Sequence, residues 1–262
     1  MGPYKNILCE IKAPVAVITF NRPKVLNALN TQTLEETFDA VQEIEKNPRV
    51  AVLIFTGTGR SFVAGADIEE MSSKTPEQAR PYLELGHSLF NKLQDMDKPV
   101  IAAINGFCIG GGMEVALSCD IRLASERSQF GLTETILGII PGWGATQRAA
   151  RLIGPAMTKE LIFAGDLIGA PRALDIGLIN QILPHQRVLD CAMDMAKKIS
   201  QKGLFAIKQA KKAINRGMDL PLEEALQGEI EACLECFATD DQKEGMNAFL
   251  NKRPPRFKGH RV

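Results

Sequence analysis

Two glutamates and two glycine-flanked turns carry the chemistry that the residue types of this chain allow. In GFCIGGGMEVALSCD (106–120), Gly110, Gly111 and Gly112 precede Glu114, which stands in an apolar run with Met113, Val115, Ala116 and Leu117. Bare N–H groups at a helix start suit an anion, because unpaired donors and the helix dipole both favour negative charge there. A second turn, FVAGADIEE (62–70), follows a strand-like run and can aim its own N–H at the same point. Two donors converging on one oxygen make an oxyanion hole. Glu114 falls about one helical turn beyond Gly111, and a carboxyl on an apolar segment holds its proton to higher pH and can exchange it near neutrality. Glu134, in FGLTETILGIIPG, lies near another helix start. Such a pair beside two N–H donors could add or remove water across a bond next to a carbonyl, the donors holding the enolate and the carboxyls handling protons and water. Each piece also has a plain reading. Glycines serve close helix contacts, Asp67 can cap the segment after a surface turn, and a Glu after Thr133 is a common first-turn residue.

Short β-branched runs alternating with helical patterns must position these groups. VAVITF (15–20), VAVLIFTG (50–57) and PVIAAING (99–106) read as strands. Helices are expected at 31–46, with Thr31 as cap and Leu34, Phe38, Val41 and Ile44 on one face, and at 77–95. The glycine triplet opens the next helix. After IRLAS (121–125) come short helical pieces, the first containing Glu134 and the others at 144–152, 155–163 and 170–176, then a strand at 178–183 and nearly continuous helix from about 186. The pattern argues an α/β core over 1–199 and a helical region over 200–262. No low-complexity linker separates the two, so the helical part is expected to pack on the core or on another subunit.

Composition removes several function classes. At 262 residues and 45% hydrophobic the chain can bury a large core, and 31 basic against 31 acidic residues argue against nucleic acid or an anionic membrane as the main partner. Six scattered cysteines suit a reducing compartment, and the Cys233-x-x-Cys236 pair with only three histidines is not read as a metal site. With no leader-like start and no long apolar run, a cytoplasmic protein is expected. IFTGTGRSF (54–62) has Phe62 where a dinucleotide fingerprint needs its third glycine, and no P-loop motif occurs. Lys197, Lys198, Lys202, Lys208, Lys211, Lys212 and Arg216 cluster in the helical region, but no aromatics interleave for base stacking, so the row reads as a solvated helix face.

VAVITFNRPKVLNALN, FTGTGRSFVAGADIEEM, PVIAAINGFCIGGGMEVALSCDIRLAS, SQFGLTETILGIIPGWGATQR and FLNKRPPRFKGH, in that order, resemble the enoyl-CoA hydratase (crotonase) family over essentially the whole chain. The resemblance implies a spiral of ββα turns, a helical C-terminal region that builds trimers or dimers of trimers, and acyl-CoA thioesters as substrates. It places the oxyanion donors on the N–H groups of Ala66 and Gly111 and the hydratase carboxylates on Glu114 and Glu134. It makes the Gly142 N–H a further holder of the water. The implied reaction is reversible syn hydration of a 2-enoyl-CoA to a 3-hydroxyacyl-CoA. Glu114 would activate the water and Glu134 would supply the Cα proton, with no metal or cofactor beyond the coenzyme A of the substrate. CoA is expected against the loop of Ala64, Gly65, Asp67 and Ile68 with Lys24 nearby, and against Phe249 and Lys252 of a neighbouring subunit. Two departures bear on substrate choice: Glu69 follows G-A-D-I where some hydratases carry lysine, and the bulky Trp143, expected to border the acyl pocket, stands where small residues are usual. Other family chemistries, such as cyclic dienoyl-CoA hydration or enoyl-CoA isomerisation, and RNA binding on the same scaffold, are the alternatives.

Overall fold

The computed structural model describes residues 4–258. A hairpin of β1 (Ile7–Lys12) and β2 (Val15–Phe20) leads into α1 (Thr31–Lys46), and the chain then repeats one pattern. Each turn lays a strand in a large sheet, a short strand in a small sheet, and then a helix. β3 (Val52–Gly57), β4 (Ser61–Val63), α2 (Ile68–Met71) and α3 (Pro76–Asp95) form the first turn. β5 (Val100–Ile104), β6 (Phe107–Ile109) and α4 (Gly111–Ser118) form the second. The third comprises β7 (Ile121–Ser125), β8 (Gln129–Gly131), a 3-10 turn at 134–137, α5 (Ala145–Ile153) and α6 (Pro155–Ala164). β9 (Ile168–Gly169), α7 (Ala170–Asp175), β10 (Gln181–Leu183) and α8 (Val188–Ser200) come next, and α9 (Leu204–Gly217), α10 (Leu222–Phe237) and α11 (Asp240–Leu250) complete the chain. The large sheet runs β1-β2-β3-β5-β7-β10, parallel after the first pair; the small one runs β4-β6-β8-β9, parallel except for the last pair. This is the α/β spiral of ββα turns with a helical C-terminal region.

Parallel strands covered on both faces read as unbroken apolar runs, and the packing shows why these do. Val52 and Ile54 face the cluster that holds Val188, Ala192 and Ala196 of α8. Leu53 and Phe55 alternate into the main core with Phe20, Phe62 and Phe90. Leu34, Val41 and Ile44 of α1 are buried, while Phe38 is half-buried. The cap of α1 is Asn30 rather than Thr31: the Asn30 side chain accepts from the Thr33 N–H, and Thr31 is the first helical residue.

One sequence expectation changes on the outer helices. The lysine row of α9 is not simply solvated. Lys211 Nζ lies 2.9 Å from Asp120 and reaches the carbonyls of Leu93 and Lys98, while Lys208 and Lys212 both pair with Asp97. These contacts pin α9 to the core. No helix among the described residues is long and apolar enough to cross a membrane. The last two residues of the FLNKRPPRFKGH motif, Gly259 and His260, lie outside the described residues.

Candidate active site

Ala64, Gly65, Ala66, Ile68, Gly111, Glu114, Glu134, Gly142 and Trp143 all line one cleft of about 180 Å³. The loop after β4 is stitched to the segment before α1: Leu29 N–H donates to Gly65 O and Asp67 N–H to Leu29 O, each at 2.9 Å. Between those bonds the Ala66 N–H donates to nothing among the described residues. Gly65 holds φ +114°, a conformation open to glycine, and so turns that N–H inward. The Gly111 N–H, at the first position of α4, likewise has no acceptor among the described residues. A Cβ on Gly111 would lie 3.4 Å from the Ala66 nitrogen, so the two free donors border the same space.

The three glycines of the triplet answer to three different contacts. Gly110 has φ +52°, and a Cβ there would come within 2.9 Å of Glu134 Oε1. On Gly111 a Cβ would meet Trp143 Cζ3 at 2.6 Å. Gly112 is the packing glycine, since its Cβ would lie 2.0 Å from the Val63 carbonyl oxygen. The competing readings of this stretch therefore divide by residue. Gly112 lets α4 approach β4, Gly111 leaves room for an indole beside a free N–H, and Gly110 turns the chain against a carboxylate.

Glu114 is 2% exposed on a helix with every residue buried. Its Oε1 accepts from the Trp143 N–H at 2.7 Å and the Ala145 N–H at 3.0 Å, at the start of α5, which leaves Oε2 without a hydrogen bond among the described residues. Burial pushes its carboxyl up to about 8, the two N–H bonds oppose that rise, and the charge of Glu134 adds to it. Burial also raises the Glu134 carboxyl, whose Oε2 is enclosed without a hydrogen-bond partner among the described residues. One cleft thus holds two free N–H groups and two proton-retaining carboxyls. That set can polarise a carbonyl and move protons on the atoms conjugated to it.

Trp143 fills the space at the inner side of the cleft, 2% exposed and edge-on to Tyr82 and Phe90 with centroids 5.0 and 5.8 Å away. Its Nε1 is buried without a partner among the described residues, and a Cβ on Gly86 of α3 would lie 2.2 Å from it. Sequence reading missed Tyr82 and Leu83 of α3 and the Leu137, Ile139 and Ile140 segment, all of which line the cleft. The latter left a signal: an apolar run ending at Pro141 whose Ile140 stays 67% exposed belongs to no core. Other expected contacts lie elsewhere. The Asp67 carboxylate caps α2 and pairs with Arg22 at 2.8 Å, which is its plain structural reading. Lys24 is exposed on the 3-10 turn at 23–25, Glu69 is exposed on α2, Phe249 is 83% exposed on α11, and Lys252 follows that helix. None of the four lines the cleft.

The profile of the Enoyl-CoA hydratase/isomerase family matches residues 10–260. The chain is 48% identical to a short-chain-enoyl-CoA hydratase of Clostridium acetobutylicum over 249 residues, covering 95% of both chains. It is 46% identical to a crotonyl-CoA hydratase of Syntrophomonas wolfei, covering 97% of this chain and 98% of that one. Among solved structures, an enoyl-CoA hydratase from Bacillus anthracis superposes with a TM-score of 0.94 at 39% identity, covering 97% of this chain and 99% of the other.

Proposed function

The chain belongs to the enoyl-CoA hydratase/isomerase family, and from that premise we propose that Glu114 and Glu134 add water across a short 2-enoyl-CoA held by Ala66 and Gly111. The enzyme is a hydro-lyase that interconverts a 2-enoyl-CoA and a 3-hydroxyacyl-CoA. In the proposed mechanism the thioester oxygen accepts from the Ala66 and Gly111 N–H groups, with the N-terminus of α4 adding positive potential. Those donors gain strength as the oxygen takes on enolate charge, so they stabilise the transition state more than the bound substrate.

The observation that carries this reading is the division of labour within the Glu114 carboxyl. Oε1 is fixed by two backbone N–H groups and Oε2 is left for water. Water attacks Cβ and loses one proton to Glu114, Glu134 delivers one proton to Cα, and the sum is one H2O added on one face. A carboxyl that holds its proton up to about pH 8 is, once ionised, a stronger base than an exposed glutamate. The Gly142 N–H borders the same space and serves as a further donor to the water. This chemistry asks for no metal or redox group. The Trp143 indole ends the acyl channel and limits it to short chains, in keeping with the short-chain and crotonyl-CoA substrates in the names of the two relatives.

CoA would lie along the Ala64–Ile68 loop, with Lys24 beside it, and Phe249 and Lys252 would come from a neighbouring copy in a trimer or a dimer of trimers. Supporting this, the 200–262 region carries exposed apolar side chains at Leu222, Leu226, Ile230, Leu234 and Phe237, each at least half exposed in the single chain. The deciding test is loss of the conjugated-thioester absorbance of crotonyl-CoA by the wild type and by Glu114→Gln and Glu134→Gln. Each variant should lose at least about a hundredfold in kcat with CoA-ester affinity nearly intact. Wild-type hydration by Glu134→Gln would replace the two-glutamate mechanism with hydration carried by Glu114 alone.

A further inference from the structure

The turn that holds Glu114 is itself held. Trp143 and Ala145 donate their N–H groups to Glu114 Oε1, and the Trp143 carbonyl oxygen accepts from Arg148 Nη1 at 3.1 Å. Arg148 is anchored from the other side by α3, where its Nε donates to Gln94 Oε1 at 2.8 Å and its Nη2 to Asn91 Oδ1 at 2.6 Å. Gly144, at φ +113°, lies against the guanidinium so closely that a Cβ there would sit 2.2 Å from Nη1. Every side-chain hydrogen bond of Arg148 among the described residues thus goes to a neutral group. Arg22 and Lys211, also largely withdrawn from solvent, each have a carboxylate partner within 2.9 Å, whereas Arg148 has none within ion-pair distance among the described residues. Arg122 and Lys98 bond to carbonyls too, but neither touches the turn that holds Glu114. The positive charge of Arg148 is left over, one peptide removed from a buried pair of glutamates.

We propose that Arg148 is a positioning residue for Glu114, clamping the 143–145 turn to α3 and lending the buried carboxyl the positive potential it needs to ionise. The proposal rests on the two-glutamate reading above. Arg148 Nη1 holds the carbonyl of the 143–144 peptide, and the two N–H groups that Glu114 accepts belong to the peptides on either side of it, so the guanidinium charge lies one peptide from the carboxyl and favours its ionised form. The charged and titratable groups around Glu114 and Arg148 are few among the described residues. They are Glu134 across the cleft, Tyr82 on its wall, Asp95 at the end of α3, and the exposed His87, whose ring lies 4.0 Å from where a Cβ of Gly144 would stand. Glu134 opposes ionisation of Glu114 and Arg148 favours it. Side chains that merely tie α5 to α3 need no charge, and the alternative role makes a different prediction on that point.

The experiment is the pH profile of kcat for crotonyl-CoA hydration in the wild type, Arg148→Met and Arg148→Lys, with thermal midpoints measured alongside. Arg148→Met keeps the length of the stem and removes the charge. It should lower kcat at pH 7 by roughly tenfold or more with KM within about twofold, and move the acid limb of the profile up by about one pH unit, so that part of the loss is recovered at pH 9. Arg148→Lys keeps the charge without the fork, and its acid limb should stay near that of the wild type while its kcat ceiling falls. A purely structural role would lower the midpoint of both variants and leave the acid limb in place in both; that outcome overturns the proposal. Where Arg148→Met fails to fold, Asn91→Ala with Gln94→Ala removes the anchors and keeps the cation. Unchanged kcat in that pair would overturn the clamp. Glu114→Gln in the same series separates the two levels: if it hydrates normally, the two-glutamate reading fails, and if it is inactive while Arg148→Met matches the wild type, only the role of Arg148 fails.

Discussion

Every one of the eight residues of α4 is buried, and not one of the sixteen of α10 is. Both helices carry many apolar residues, so their content alone does not explain the difference. Helix α4 is apolar all round, with β4, β6, α3 and α5 of the same chain packed about it, and the one charge it carries is held by backbone N–H groups of the turn before α5 and of its first residue. Helix α10 instead carries a stripe, Leu222, Leu226, Ile230 and Leu234 at four-residue spacing, that nothing among the described residues covers. The first helix has its surroundings fully specified within one chain and can therefore hold a carboxyl in an expensive state. The second leaves that stripe open in the single chain. On the proposed reading, chemistry sits where burial is complete, and assembly where it is left unfinished.

The sharpest way to break the α4 half of this comparison is Gly111→Ala. The added methyl would lie 2.6 Å from Trp143 Cζ3, so the indole or the helix start must shift, and with it the N–H beside the Ala66 donor. Losing one well-aligned oxyanion donor costs roughly 2.7–4 kcal/mol, about a hundred- to a thousandfold in kcat. Stability should fall as well, because overpacking a filled site costs about 1–3 kcal/mol, more than the gain of about 1 kcal/mol that alanine brings to a helix. Adding Trp143→Ala to Gly111→Ala removes the obstacle, so the midpoint lost to the collision should return in a double-mutant cycle, and hydration with it if the collision is what misaligns the N–H. Hydration that stays low although the midpoint returns would mean that the added methyl itself crowds the bound carbonyl.

That collision was not legible in the sequence, and the reason is physical. Gly86, Gly111 and Trp143 meet only because α3, α4 and the turn before α5 converge, and no periodicity encodes a slot between three separate segments. What the sequence did make legible were contacts written locally: the apolar runs of β2, β3 and β5, the three- and four-residue spacing of α1, the triplet ahead of Glu114, and Asp67 as a cap. The small sheet escaped because its strands are two or three residues long, too short to show alternation. β1 escaped because Glu10 and Lys12 interrupt its apolar residues, as an edge strand allows. The residue types allowed the two turns and the two glutamates to converge, and the family resemblance fixed Ala66, Gly111, Glu114 and Glu134 as one site, since residues 66 and 134 are brought together by two full turns of the spiral.

Trp143→Ala tests the same region with a smaller expected effect. Removing the indole from between Gly86 and Gly111 extends the channel toward Tyr82 and Phe90. The ratio of kcat/KM for an eight-carbon over a four-carbon enoyl-CoA should rise by about tenfold or more, since each methylene that finds an apolar wall is worth about 1 kcal/mol. An unchanged ratio would show that another wall ends the channel. On the α10 side, Leu226→Glu with Ile230→Glu places two charges in the uncovered stripe. Light scattering should then report a smaller species than the wild type, and, with the proposed reach of Phe249 and Lys252 into a neighbouring cleft lost, KM for crotonyl-CoA should rise several-fold. A wild type that is already monomeric at micromolar concentration would remove α10 from this comparison.

The last expected effect is read in stability rather than rate, and it is the most direct measure of what complete burial does to Glu114. Its carboxyl is raised from 4.5 to about 8 in the folded chain, chiefly by burial. Between those two values the folded chain keeps a proton that the unfolded chain has released, so stability falls as pH rises through that window and levels off above it. Glu134 is raised as well and adds a fall of the same sign. The contribution of Glu114 is therefore read from a difference. Glu114→Gln does not titrate, and its amide oxygen can still accept from the Trp143 and Ala145 N–H groups. The thermal midpoint of Glu114→Gln minus that of the wild type should be near zero at pH 5, grow through pH 6 and 7, and flatten near pH 8.5. The window from 4.5 to about 8 is worth about 5 kcal/mol, so the gain there should be roughly ten degrees, at about 2–4 °C per kcal/mol for a chain of this size. The same substitution that removes catalysis would then stabilise the protein, and more so the further the pH lies above the ordinary carboxylate range. A difference that stays constant from pH 5 to 9 would mean that the folded chain meets the Glu114 charge with enough N–H bonding and positive potential to hold it as readily as water does, and would place the strain of the site in Glu134 alone.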